Sequence, residues 1–303
     1  QSLIWTKSMK AETKSLEKNL LCEDLFASEN NLISLNTLHQ SLVNDSIKYK
    51  NSDPFPHIVL DNFLSSDGAA EAMEGFCGIN WSVYKHFNEN KNGSNKKISF
   101  GPKLSNVIDA LNSAEFLSYL SELTGINNLI ADTHLGSGGV HRSTRGGFLN
   151  IHADFTVHPY KSNWHRRLNV LVYLNEEWDS TWGGELELWD TDMSCCVEKI
   201  SPVFNRCVVF NTNYDSYHGH PEPMTCPEGT WRKSIALYYY TLADEDVKTV
   251  ATNYRPRPQD IRMSRLLMYL DKKAVSVFHF LKGKFGISDD VVTKVTSIFQ
   301  KNK

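Results

Sequence analysis

No run in the sequence is long and apolar enough to cross a bilayer: the longest uncharged, mainly apolar stretch, Ser234 to Ala243, is about half the ~20 residues a spanning helix needs. Net charge of one sign is also missing. Lys and Arg total 32 against 35 Asp and Glu, a formal charge of −3, so the sequence-independent phosphate grip of a nucleic-acid binder is not expected. The six cysteines include no CxxC pair and no regular framework, which points to reduced thiols rather than a disulfide scaffold or a thiolate zinc site. Gln1 to Lys10 holds no apolar core of signal-peptide length, although the chain starts without Met, which leaves a removed segment open. The expectation is a cytoplasmic protein with no nucleic-acid and no membrane partner. No internal repeat is visible. What is present is 303 residues with 41% hydrophobic and 22% charged side chains, enough to bury one large core or two modest ones and too apolar for disorder to dominate.

Three regions follow from patterning, with expected domains at 1–53, 54–245 and 246–303. In the first, Leu32, Leu35, Leu38 and Leu42 recur at helical spacing and predict a helical lead-in. At Asp53-Pro54-Phe55-Pro56 the pattern breaks, His57 to Leu60 reads as a strand, and Ser65-Ser66-Asp67 as a helix N-cap. Asn88 to Lys97 is Asn, Lys, Gly and Ser with one Glu, a composition that predicts a loop or flap. Helices are expected over Lys103 to Leu111 and Ser113 to Thr124, the second stopped by Gly125. From Leu129 to Leu242, short β-rich runs such as Leu168 to Leu174, Glu185 to Trp189, Cys207 to Phe210 and Ile235 to Tyr240 alternate with turn clusters, the signal of a sandwich or barrel. The tail returns to helix, with an apolar stripe from Met263 to Leu281 and a last helix from Ser288; such faces suit packing or a homodimer.

The chemistry-bearing pattern starts at His152-Ala153-Asp154, where strand residues i and i+2 share a face and can share one metal ion. Alone it means little, since a chain of this His and Asp content holds about 0.65 such pairs by chance. Sixty-four positions after Asp154 comes His218-Gly219-His220, placed where a barrel could return a third ligand. Two histidines and one carboxylate on one face form the facial triad of non-haem Fe(II); zinc is the weaker reading, and satisfied core histidines are the plain one. Arg232 opens the last β run and by period two shares a face with Ser234 and Ala236, so its charge would enter an apolar barrel and need an anion there. That anion is either a dicarboxylate cosubstrate or a protein carboxylate.

These residues resemble the iron(II)/2-oxoglutarate-dependent dioxygenases, in the branch of the prolyl 4-hydroxylases. Six ordered pieces between Phe55 and Thr241 carry the resemblance: Arg145 to Asp154, Arg166 to Asn175, Gly183 to Leu188, Pro202 to Phe210, His218 to His220, and Arg232 to Ser234. It implies a mainly β, α+β fold with a double-stranded β-helix (jelly-roll) core and helices outside. It also implies His152, Asp154 and His218 as iron ligands, with His220 the competing third ligand. Arg232 matches the residue that binds the distal carboxylate of 2-oxoglutarate, and Tyr173 a position that reaches the same cosubstrate. Ser234, on the face of Arg232, could add a hydroxyl. The expected cofactors are Fe(II), 2-oxoglutarate and O2, with ascorbate as a reductant. The expected activity is hydroxylation of an unactivated C–H in a small molecule or a peptidyl, proline-like substrate, with release of succinate and CO2. Asp154 is the carboxylate that related halogenases lack, which favours hydroxylation over halogenation. Oxidative cyclisation or desaturation of an amino-acid-like substrate, and a metal-binding barrel without turnover, are the alternatives. Candidate substrate contacts flank the metal strand: His134, His141, Arg142 and Arg145 before it, and His158, Tyr160, Trp164 and His165 after it.

Overall fold

The computed structural model describes residues 32–136, 138–243, 249–261 and 265–268. The stripe from Met263 to Leu281, the helix expected from Ser288 and the homodimer expected through them lie, but for a few residues, outside this set. Four α-helices are described: α1 (Leu35–Lys50), α2 (Ser66–Gly75), α3 (Pro102–Leu111) and α4 (Ala114–Thr124). None is long and apolar enough to cross a membrane. Their ends are where capping chemistry places them. The Ser65 hydroxyl accepts from the Gly68 amide and that of Ser113 from Phe116, while Gly125 closes α4 in the left-handed conformation at φ 75°.

Thirteen strands form one antiparallel sheet that curls into a nearly closed barrel. They are β1 (His57–Leu60), β2 (Ser82–His86), β3 (Glu89–Ser94), β4 (Ile130–Ala131), β5 (Gly139–Ser143), β6 (Phe148–Ala153), β7 (Trp164–Tyr173), β8 (Leu186–Trp189), β9 (Cys196–Ile200), β10 (Arg206–Asn211), β11 (His218–His220), β12 (Arg232–Leu242) and β13 (Asn253–Tyr254). The order is β1-β10-β7-β12-β5-β3-β6-β11-β8-β9, with β2 on β3, β4 on β12 and β13 on β6. Placing β12 between β7 and β5, and β11 between β6 and β8, makes the expected double-stranded β-helix.

Period-two alternation divides the long strands between two environments. On β7 and β12, Leu168, Val170, Val172, Ile235, Leu237 and Tyr239 face outward into the main core, where α1 to α4 cover them. Their neighbours Asn169, Leu171, Tyr173, Ser234, Ala236 and Tyr238 face the barrel interior. Ser234 pairs with Tyr173, Ala236 with Leu171 and Tyr238 with Asn169, so the inward side chains stand in rows across the sheet. The helix expected to precede the barrel contributes to this same core: α1 buries Leu38, Leu42 and Tyr49 there and packs on α4.

One expectation is overturned. Asn88 to Lys97 is largely strand, because a polar segment can be held by its backbone ladder when its side chains find partners. β3 pairs with β2, β5 and β6, and Asn88, Glu89 and Ser94 are buried. The five described cysteines are free thiols, as expected.

Candidate metal and cosubstrate site

β6 and β11 lie side by side with His152 opposite His218, and Asp154, the residue after the end of β6, lies beside both. The imidazole centroids are 4.5 Å apart. Asp154 Oδ1 is 3.6 Å from His152 Nε2, and Oδ2 is 3.4 Å from His218 Nε2. Both rings are oriented by the backbone: Nδ1 of His152 lies 2.9 Å from the Asn150 carbonyl, and Nδ1 of His218 lies 2.9 Å from that of Ser216. A carbonyl only accepts, so Nδ1 carries the proton and donates, leaving the Nε2 lone pair free on each ring. His152, Asp154 and His218 are the one group of His, Cys, Asp and Glu donors among the described residues that could hold a metal ion, with ligand atoms all within 4.8 Å of one another. Burial holds the His218 ring at about 4, helped by neighbouring His152, so it is neutral and able to ligate at ordinary pH.

Asp154 is fixed from the far side. Its Oδ2 accepts from Arg166 Nη2 and from Asn169 Nδ2, each at 2.8 Å. Burial alone would raise this carboxyl. The Arg166 guanidinium, with His218 and His152, outweighs that cost and keeps it ionised, well below the usual carboxylate range. Arg166 itself is fully buried, bonded also to Asn169 Oδ1 and lying 3.5 Å from the Tyr238 ring centre. Sequence reasoning gave neither Arg166 nor Asn169 a role, because two residues three apart on a regular strand point to opposite faces. A register shift between Tyr239 and Tyr240 takes Leu168 and Arg166 out of strict alternation, and this bulge turns Arg166 to the side of Asn169.

Arg232 opens β12 at the other end of the cavity, 7% exposed. Its Nε donates to the Gly184 carbonyl at 2.6 Å and its Nη2 to the Tyr173 hydroxyl at 3.3 Å. Among the described residues no carboxylate pairs with it, so the protein-salt-bridge alternative finds no partner there. Gly184 is required at this point: its φ is +75°, and a Cβ would sit 2.6 Å from Met224 Sδ and 3.1 Å from Arg232 Cδ. Ser234 and Tyr173 line the same cavity as Arg232, His152, Asp154 and His218.

His220, weighed as a competing ligand, faces this cavity but lies outside the donor group; burial and the charge of Arg232 hold its ring well below the usual histidine range. Of the flanking candidates only His141 lines the cavity. Arg142 is held between Trp81 and Trp231, at 4.4 and 4.0 Å from their ring centres. Arg145 donates to the carbonyls of Thr225 and Cys226, His158 pairs with Asp132, Trp164 packs on Tyr240, and Tyr160 is 82% exposed. His134 is exposed, and His165 sits on β7 opposite Thr241. Lys91 and Tyr238 line the cavity unforeseen, Lys91 because its segment reads as a loop.

Comparison with known proteins agrees with this geometry. Residues 138–240 match the model of the 2OG-Fe(II) oxygenase superfamily, a span that contains the three clustered donors, Tyr173, Arg232 and Ser234. Prolyl 3-hydroxylase OGFOD1 of Mus musculus is 28% identical over 198 residues, covering 62% of this chain and 33% of its own. The chain thus spans about a third of that relative's length. A prolyl hydroxylase from Trichoplax adhaerens, solved in complex with a hypoxia inducible factor oxygen degradation domain peptide fragment, superposes with a TM-score of 0.50 at 20% identity, over 67% of this chain and 92% of its own.

Proposed function

We propose that this chain, a 2-oxoglutarate-dependent non-haem iron oxygenase resembling the prolyl hydroxylases, hydroxylates an unactivated C–H of a peptidyl, proline-like substrate. The observation that carries the reading is the pairing of two features in one cavity: a buried His-Asp-His donor set and a buried guanidinium that, among the described residues, has no protein carboxylate to neutralise it. The donor set fits Fe(II). Two imidazoles whose Nδ1 atoms meet backbone carbonyls, and one ionised carboxylate, are the donor types of the facial triad and would hold the metal between them. Iron held there, with 2-oxoglutarate and O2, would supply the oxidising power, with succinate and CO2 as coproducts.

The chain's own residues supply geometry and charge. His152, Asp154 and His218 fix the metal position, and Arg166 with Asn169 keeps the carboxylate ionised and aimed. Arg232 anchors the distal carboxylate of 2-oxoglutarate through its guanidinium fork, and Tyr173 and Ser234 offer hydroxyls to the same end. No side chain is asked to act as general acid or base. Support for the peptidyl class comes from the 28% identical relative, which is named a prolyl 3-hydroxylase.

The test is succinate release by Fe(II)-loaded protein with 2-oxoglutarate and O2, alone and with capped proline peptides, free amino acids and sugar nucleotides. Stimulation by a proline peptide, with a 16 Da gain on that peptide by mass spectrometry, is the expected result. Stimulation only by a small molecule would replace the peptidyl class. No succinate from protein with iron verified as bound would reject the oxygenase reading.

A further inference from the structure

The hairpin of β2 and β3 carries a cation, Lys91, into the cavity in addition to Arg232 and outside the three-donor group. Lys91 Nζ lies 2.8 Å from Glu89 Oε2, and the other oxygen of Glu89 lies 2.8 Å from His86 Nε2. The Lys91 side chain is 20% exposed and that of Glu89 12%, so this pair is largely withdrawn from water. Burial would raise the Glu89 carboxyl, but His86 and Lys91 hold it at about 2; it is therefore ionised whenever the protein is folded at ordinary pH. An ammonium has three donors, and Glu89 takes one. Among the described residues no second protein acceptor is found for the other two. Lys91, Tyr238 and Asp154 line the same cavity. The same cavity is lined by His141 and His220, whose buried Nδ1 atoms have no hydrogen-bond partner among the described residues.

We propose that Lys91 is a substrate-binding residue, whose ammonium donates to a neutral oxygen acceptor of the substrate, an amide carbonyl, beside the metal-facing carboxylate of Asp154. Neutrality of the acceptor follows from the ion pair. Glu89 already cancels the charge of Lys91, so what remains on offer is N–H donors rather than net positive charge. A substrate carboxylate would meet the attraction of Lys91 and the repulsion of Glu89 together, whereas a carbonyl takes the hydrogen bond without that conflict. Substrate recognition then depends on a strand whose polar composition reads as a loop.

This inference rests on the oxygenase reading above and is tested with capped, uncharged proline peptides as probes, with free proline as the charged control. Lys91→Met would leave the buried Glu89 carboxylate with His86 but without its ammonium partner, so the double variant Lys91→Met/Glu89→Gln is made beside it to keep the pair neutral. The expected result for both variants is a rise of about tenfold or more in the KM for the capped peptide. The KM for 2-oxoglutarate stays within about twofold, and more succinate forms per hydroxylated peptide, because a misplaced substrate lets the cosubstrate be consumed unproductively. Lys91→Gln, which keeps a donor, recovers part of the peptide KM. Unchanged peptide KM and unchanged coupling in the double variant overturn the inference, as does a shift in the KM for 2-oxoglutarate alone. Preferential oxidation of free proline that is lost with Lys91 overturns the neutral acceptor. Wild-type protein that oxidises no capped peptide overturns the peptidyl reading itself, and this inference with it.

Discussion

β7 and β12 each have two faces, and the two are built to different tolerances. Outward, Leu168, Val170, Val172, Ile235 and Leu237 meet the helices through area and volume, where a similar side chain would serve. Inward, a few tenths of an ångström and one proton matter: Asn169 meets Asp154 at 2.8 Å and Arg232 meets Gly184 at 2.6 Å. The outer face holds the barrel together, and the inner face uses that rigidity to keep charged groups buried that would not stay there alone. Stability and chemistry are thus separable on one strand, residue by residue.

Four experiments break that separation in order of effect. His218→Ala removes one of the three clustered inward donors and is expected to abolish iron-dependent succinate release, measured on protein whose iron content is determined in parallel, while leaving the metal-free fold intact. Arg232→Met removes the guanidinium that has no carboxylate partner among the described residues; losing a charge-assisted bond predicts a rise of about 10- to 100-fold in the KM for 2-oxoglutarate, read from initial rates. Leu120→Ala, in the helix layer over the outer face, should cost about 2–5 kcal/mol in urea unfolding with unchanged turnover per folded molecule. The smallest effect concerns pH. Burial pushes the His141 ring down to about 3 and that of His218 to about 4, so both are neutral in the folded metal-free protein. The unfolded chain binds those protons near 6.5, and stability must therefore fall as pH drops from about 6.5 through 4. Denaturant midpoints across that range check the sign.

How much of this was legible in the sequence differs in the same way between the faces. The clustering of His152 with Asp154 and the inward face of Arg232 were readable from strand period, whereas Tyr173 and the choice of His218 over His220 came only with the resemblance to the dioxygenases; the Ser65, Ser113 and Gly125 helix ends were readable because capping acts locally. Arg166 was hidden by the bulge in the β7–β12 pairing, which defeats period-two counting. Lys91 was hidden for another reason. β3 is polar and gains its place from backbone pairing with β5 and β6 and from the Glu89–Lys91 ion pair, and none of these leaves a hydrophobic signature. Local patterns report what a residue prefers; long-range pairing decided where these two went.

The central claim is that the buried triad and Arg232 form one site, for a metal and a dicarboxylate together. It is tested most directly by adding 2-oxoglutarate to the Fe(II) protein without oxygen and recording the visible spectrum. The account predicts a charge-transfer absorption that appears with 2-oxoglutarate and needs a higher concentration of it in Arg232→Met. No absorption change in wild-type protein with iron verified as bound would contradict it.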